Sequence, residues 1–335
     1  MNLFKNAPVI NMIGLSPSLK AQDEAVSGGL AFLIGELEKR DPKLREPLTS
    51  VTYPRDIFIN TGGGWVENTS NYNINYANTG GEDGGIIADQ TNSIPIMQAD
   101  IGKDIYRVFT WANFMKVPFL DQAKLQTIGR SLDQMLDKGI RLNHDKTMDR
   151  NVYEGFSKYG TYGLVNHPNV MAVAAPNGAA GKSTWADKTP DEMLADVNEV
   201  MNATWEASEF DLSGMAQHIL IPPRQYARLV ATKVSEAGNI SILEFLLKNN
   251  IGKNQGIELS INPCRWCIGA GTGGVDRMVA YVNDEDRVQV DETVPLQRYQ
   301  SGPDITNLAY LTAYVAQFGQ VKFLYYEPAL YMDGI

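Results

Sequence analysis

The chain has 335 residues, 44% of them apolar and 20% charged, with a formal net charge of −10. That length suits one large domain or two closely packed ones with a sizeable core, and the ordinary charge content excludes wholesale disorder. The acidic balance excludes tight unspecific nucleic-acid binding, which needs Lys and Arg to replace counterions. No run approaches the roughly 20 apolar residues of a membrane helix. Residues 1–8 also lack the charged-then-apolar order of a secretory leader, so a soluble chain that works where it is made is expected.

Along residues 16–44, Val26, Leu30, Leu33, Ile34 and Leu37 recur at spacings of three and four, which predicts a helical arm. Asp41-Pro42 ends it, because proline cannot continue a helix. Residues 51–100 are rich in Gly, Asn, Thr and Tyr and read as extended chain. Gly62-Gly63-Gly64 and Gly80-Gly81-Glu82-Asp83-Gly84-Gly85 mark turns, and Val66, Tyr72, Ile74 and Tyr76 alternate loosely between them. There is too little apolar material here for a separate core. A long two-stranded loop is marginal alone, and its unpaired edges are a liability, so it is expected to lie on another molecule. A flexible surface loop is the alternative.

Residues 105–117 alternate like a strand. One helix is expected from Phe119 to about Val152, with Leu125, Ile128, Leu132, Met135, Leu136 and Ile140 as its apolar stripe. It would be roughly 50 Å long. An apolar strand follows at 170–175. The next helix has a marked start: Thr189 as N-cap, Pro190 at the first position and Glu192 closing a capping box. Met193, Leu194, Val197, Val200, Met201 and Thr204 form its inner face. A short buried strand at 219–221, a helix at 222–231 and a second helix boxed by Ser241 and Glu244 come next. Leu243, Leu246 and Leu247 are the apolar residues of that second helix. Strands are expected at 256–261, 277–283 and 288–290, and a long β region at 308–331.

Four motifs suggest chemistry and fail on context. Pro176-Asn177-Gly178-Ala179-Ala180-Gly181-Lys182-Ser183 ends like a phosphate-binding loop, but Pro176 stands where the first Gly belongs and the helix starts too late. Gly269-Ala270-Gly271-Thr272-Gly273-Gly274 is followed by a strand, where a dinucleotide fingerprint needs a helix, so it reads as a flexible loop tip. Cys264-Arg265-Trp266-Cys267 has no second ligand pair for zinc. On a strand its thiols would face opposite ways, so two ordinary thiols in a reducing compartment are expected. His144, His167 and His218 show no metal spacing, no Gly-x-Ser-x-Gly marks a nucleophile, and the carboxylates are scattered as on solvated faces. Basic residues do not cluster with aromatics, and the local excess Lys39, Arg40, Lys43 and Arg45 reads as a solvated helix end. No catalytic, cofactor or metal residue is assigned.

The carrying residues of a resemblance are Tyr153-Glu154-Gly155, Tyr162-Gly163-Leu164-Val165-Asn166-His167-Pro168, Trp185, Thr189-Pro190 with the helix to Trp205, Pro222, Tyr226 and Ile240-Ser241-Ile242-Leu243-Glu244. In this order, from about residue 51 on, the chain resembles tailed-phage major capsid proteins, and within them the encapsulin-like branch. The resemblance implies an α+β, HK97-like capsid fold. Its expected parts are an N-terminal arm (1–50), an extended loop with flanking strands (51–104), and a peripheral domain (105–217) with a spine helix at 119–152. An axial domain (218–305) and C-terminal strands returning to the peripheral domain (306–335) complete it. It implies a non-enzymatic shell protein, self-assembling as hexamers and pentamers into an icosahedral virion capsid built in the host cytoplasm. Its acidic wall would enclose DNA without sequence-specific binding.

Trp65, Tyr72 and Tyr76 in the extended loop are the expected assembly contacts, with Gly269, Gly271 and Gly273 near the capsomer axis. Scaffolding, portal and decoration proteins are the further partners such a shell implies; no cofactor and no membrane are. No Lys lies between Lys43 and Lys103, so the loop-to-neighbour crosslink of some relatives is not expected. The short arm implies a separate scaffold or none. Two rivals carry different functions: an encapsulin compartment around protein cargo, and an α/β phosphate-binding enzyme using Gly181-Lys182-Ser183.

Overall fold

A computed structural model describes residues 49–79, 96–127, 132–234 and 240–335. The expected arm, with its basic residues, and the turn at Gly80–Gly85 lie outside these. Val51–Ile335 forms one unit by its internal packing.

A helical turn at Tyr53–Asp56 leads into β1 (Phe58–Thr61). Then β2 (Asn68–Asn78) pairs antiparallel with β3 (Met97–Pro118). At 22 residues β3 starts eight residues earlier than its alternation suggested, because its first half is too polar on one face to read as a strand. It continues without a register break from its pairing with β2 into its pairing with β10 (Ala309–Gly319). Strand β9 (Val294–Asp304) completes a four-stranded antiparallel sheet in the order β2-β3-β10-β9. The pattern of residues alone does not reveal β9. Pro295, Gly302 and Pro303 argue against a strand, but β9 lies at the sheet edge, where proline is tolerated.

The single helix expected over 119–152 is described as two, α1 (Phe119–Thr127) and α2 (Leu132–Tyr153), with four residues between them outside the described set. At 1.5 Å per residue α2 itself is about 33 Å long. Leu136 and Ile140 pack with Trp111, Met115, Val117 and Tyr314 on one face of the sheet, whereas Met135 is exposed. Ile128 and the side chains of Leu125 and Leu132 lie outside the described residues.

A five-stranded mixed sheet runs β4-β12-β7-β5-β6. Its strands are β4 (Met171–Ala174), β5 (His218–Ile221), β6 (Ser260–Pro263), β7 (Arg277–Tyr281) and β12 (Ala329–Asp333). Successive side chains alternate between two cores. Ile219, Ile221, Met278, Ala280, Leu330 and Met332 face α3 (Pro190–Ala207), α4 (Pro223–Ala231) and α5 (Ile242–Asn249). Leu220, Val279, Tyr281, Ala329 and Tyr331 face the end of α2 and the small sheet of β1, β8 (Val288–Glu292) and β11 (Val321–Phe323). Burial on both faces explains the unbroken apolar run Ile219-Leu220-Ile221. Thus α3, which precedes residue 218, and β12, which follows 305, share one core with β5, β6 and β7.

The caps of α3 are as expected. Thr189 Oγ1 accepts from Glu192 N, and Glu192 Oε2 accepts from Thr189 N at 2.7 Å. At α5 only half a box forms. Ser241 Oγ accepts from Glu244 N, but the Glu244 carboxylate turns outward to Lys248 Nζ.

The Tyr162–Pro168 stretch wraps the end of α2. A Cβ on Gly163 would stand 2.3 Å from the Tyr153 carbonyl carbon and oxygen, and the backbone cannot give. Gly163→Ala is therefore expected to destabilise the subunit by about 3 kcal/mol, at the upper end of overpacking costs. Chemical denaturation would read it; a loss under about 1 kcal/mol would show that the turn can open.

The carboxylates are not merely scattered on solvated faces. Asp56, Asp149, Asp196, Asp291 and Asp333 are buried and paired. Asp149 on α2 accepts from Thr52 N, Tyr53 N, Arg265 Nη2 and Trp266 Nε1, which ties two distant segments to one helix. Asp333 takes a two-pronged bond from Arg277, which also donates to the Val165 carbonyl and stacks on Tyr331. Asp196 holds Lys188 Nζ at 2.5 Å and Trp185 Nε1 at 2.8 Å.

Candidate assembly surface

Directly paired residues of an antiparallel ladder lie on the same face. On the β2–β3 hairpin this sorts the side chains cleanly. One face carries Tyr72 with Lys103, Ile74 with Ile101, Tyr76 with Ala99, Asn78 with Met97 and Ser70 with Ile105. The other carries Asn71 with Asp104, Asn73 with Gly102 and Asn75 with Asp100. The first face is apolar and exposed: Tyr72 is 66% accessible, Tyr76 70% and Ile101 64%. Lys103 lies over the Tyr72 ring at 5.7 Å. On the polar face Asn73 Nδ2 donates to Asp104 Oδ2 at 2.5 Å.

The pleat of β3 is unbroken, so the apolar face carries on into the body. There the odd-numbered residues Trp111, Met115 and Val117 pack with Leu136 and Ile140 of α2. The same stripe is thus covered by α2 in the body and left bare along the hairpin. The root of β2 is held by one side chain. Gln317, buried in β10, donates through Nε2 to the Val66 carbonyl at 2.6 Å and accepts from Val66 N at 3.1 Å, standing in for a strand neighbour. Trp65, next to it, is exposed.

The other motifs resolve into structure. The Pro176–Ser183 stretch is a turn, with Gly178 N bonded to the Lys182 carbonyl. The helix start is already capped: Glu192 N donates to Thr189 Oγ1, and the Glu192 carboxylate folds back to accept from Thr189 N and, in the loop, from Ala179 N at 2.6 Å. Lys182 pairs with Asp187, and Ser183 Oγ donates to the Gly334 carbonyl. The loop from Gly269 to Gly274 is tied down, not free. Gly269 N donates to Asp276 and Thr272 N to Asp333. Gly271 is buried, and a Cβ there would stand 2.9 Å from the Asp333 carboxyl, so it offers no surface; Gly269 and Gly273 are exposed.

Cys264 and Cys267 sit on a turn, not a strand, and both enter the same core. Burial pushes the Cys267 thiol well above its usual value. Neither is expected to react with an aromatic disulfide reagent until the protein unfolds; titration of even one thiol in native buffer would contradict this burial. His218 meets buried Asp56, but no serine, threonine or cysteine among the described residues completes a triad with any histidine. Likewise, no group of three His, Cys, Asp or Glu among the described residues converges as a metal site, and no described helix is long and apolar enough to cross a membrane.

The hairpin thus presents an exposed apolar face and a polar one. Comparison with known families decides what kind of protein carries it. The model of the major capsid protein family matches residues 82–335. The chain belongs to the major capsid protein family. This capsid protein shares its fold with solved shells at low sequence identity. The capsid of Myoviridae phage XM1 aligns with a TM-score of 0.74 at 15% identity, over 90% of this chain and 97% of that one. The capsid of a native GTA particle aligns at 0.59 and 10%, over 88% and 94%. Microbacterium phage Oxtober96 aligns at 0.59 and 12%, over 88% and 92%. A search of curated proteins finds no match. The HK97-like α+β fold and the structural role expected from the resemblance both stand; placement in the encapsulin-like branch is not decided by these likenesses.

Proposed function

We propose that copies of this capsid protein close into an icosahedral shell around phage DNA, each laying the apolar face of its β2–β3 hairpin on a neighbour. The observation that carries this is the exposed row Tyr72, Ile74, Tyr76, Ile101 and Ile105, an apolar face that stays accessible in its own chain, with Lys103 lying over the Tyr72 ring. Contiguous exposed apolar surface of this kind marks an interaction site, and aromatic anchors dominate such contacts. Trp65, Tyr72 and Tyr76 are the proposed anchors. The long β3 and α2 would form a peripheral body. The five-stranded sheet with α3, α4 and α5 would form the axial one, with its boundary ahead of α3 and with β12 included. Gly269 and Gly273 would then lie toward the capsomer axis.

Hexamers and pentamers are the proposed capsomers, with scaffolding, portal and decoration proteins as further partners in the virion and assembly in the host cytoplasm. The net charge of −10 suits a wall to which DNA does not stick. Electron microscopy of the purified protein, with mass by light scattering, tests the reading. Closed shells or ring-shaped capsomers are expected; a stable compact monomer, with scaffold present, would overturn it.

A further inference from the structure

Helix α3 is 18 residues long, about 27 Å, and its two ends look different. At its C-terminal end the chain makes a tight turn in which two successive non-glycine residues take left-handed backbone: Glu209 at φ 53° and Phe210 at φ 61°. Side chains rarely tolerate this, and such conformations persist where the fold imposes them and function uses them. The turn is fixed by the Phe210 N–H donating to the Trp205 carbonyl at 2.8 Å and by an edge-on contact of the two rings. The result is a phenyl ring that is 59% exposed and flanked by two exposed carboxylates, Glu209 and Asp211.

At the other end, ahead of the α3 start, lies a cleft of about 570 Å³. Ala186, Val275 and Ile335 contribute apolar lining, and Arg224 and Arg228 of α4 add positive charge. The Arg224 side chain is exposed, and the Nε of Arg228 is buried with no acceptor. The acidic side chain in the cleft, Asp276, is already engaged by Gln225 Nε2 and Gly269 N, and Arg228 spends Nη2 on the Ala186 carbonyl. Knob and cleft therefore match in chemistry: an apolar ring between two negative charges, and an apolar recess beside two positive ones.

We propose that the Glu209-Phe210-Asp211 knob of one copy seats in the Arg224/Arg228 cleft of the next. The two surfaces differ and lie at opposite ends of one rigid helix, so the contact is head-to-tail, the kind that closes into rings. The partner is a second copy of this chain: a molecule that repeats itself in a shell presents both halves of the pair to its neighbours. This contact depends on the protein forming a shell but not on the hairpin.

Glu209 and Arg224 are both exposed and neither side chain is held by the fold, so they allow a charge swap. Glu209→Arg alone and Arg224→Glu alone are each expected to cut the yield of rings or shells at least about tenfold, because like charges then meet. The double variant is expected to recover most of that yield, and Phe210→Ser to lose it without a charge change. Circular dichroism checks that every variant folds. Singles that assemble like the unmodified chain, or a double no better than either single, would overturn the contact while leaving the shell intact. Failure of the unmodified chain to assemble would overturn the shell reading itself, and this contact with it.

Discussion

Replacing Tyr72, Ile74 and Tyr76 together with serine is expected to abolish shell formation while leaving the subunit folded. All three are exposed in the subunit, so their removal should change its stability by no more than about 0.5 kcal/mol each. In an interface the same residues are anchors, and truncating an anchor commonly costs about 2 kcal/mol or more, about thirtyfold in affinity. Two such losses are already enough to stop a weak repeated contact from propagating. Serine at Asn71, Asn73 and Asn75, on the opposite face of the same strand, is the matched control and should assemble normally. Light scattering and microscopy read both sets. If the asparagine set blocks assembly and the aromatic set does not, the hairpin seats by its polar face, and Tyr72 and Tyr76 are not its anchors.

The second large effect is on folding. Asp56 is fully buried and accepts from Arg55 Nε at 2.6 Å, from the Tyr153 hydroxyl and from His218 Nε2 at 3.1 Å, while its own carbonyl accepts from Tyr281. These partners come from four separate stretches of chain. Asp56→Ala would leave His218 buried without its carboxylate and Tyr153 with the Thr52 hydroxyl alone, and breaking a buried charged pair on one side typically costs about 3–5 kcal/mol. A loss below about 1 kcal/mol in denaturant titration would mean the site relaxes or admits water.

The same residue predicts an acid limb. Burial alone raises a carboxyl pKa, but the bonds from His218, Arg55 and Tyr153 outweigh it and hold Asp56 below the ordinary carboxylate value. A depressed folded value means the contribution is complete above the unfolded value of about 3.9 and is lost as pH falls through the folded one. Asp333, depressed by Arg277 and the Thr272 amide against its burial, acts in the same direction. Stability should therefore fall below about pH 4, and Asp56→Ala should flatten that fall only in part. An unchanged acid limb in the variant would show that Asp56 is not among its causes.

What the sequence made legible was local. The start of α3 was readable because a capping box is written within four residues, Thr189 to Glu192. The buried strand at 219–221 was readable because it is apolar on both sides. Tyr72, Ile74 and Tyr76 stood out by their alternation, and all three are exposed. What failed depends on distant partners. Strand β9 is held by β10 and hidden by its prolines. The place of β12 between β4 and β7 is set by residues 158 and 52 positions away, from Met171 to Ala329 and from Arg277 to Ala329. Asp149 and Asp333 read as solvated because nothing near them in sequence names their partners; for Asp56 only Arg55 is near, and Tyr153 and His218 are 97 and 162 positions away. The knob at Phe210 has no sequence signal beyond its acidic neighbours, since a left-handed turn at two non-glycine residues is imposed by the fold.

Strand β3 has a mechanical meaning. Over 22 residues at about 3.3 Å each it spans roughly 70 Å without a bulge, and it belongs to the hairpin and the body alike. It works as a cantilever: the hairpin is the loaded arm, and the wall anchorage is the ladder to β10 with α2 behind it. A neighbour pressing on Tyr76 would load the hairpin across its face and bend it, and the continuous β3 ladder would carry that moment into the body beside Trp111 and Tyr314. A shell built from such arms would pass load from copy to copy along its strands, and on the return side the segment ahead of β2 would be held by the two Gln317 bonds to Val66 and by the Gly62 and Gly64 amides on the Glu292 and Thr293 carbonyls.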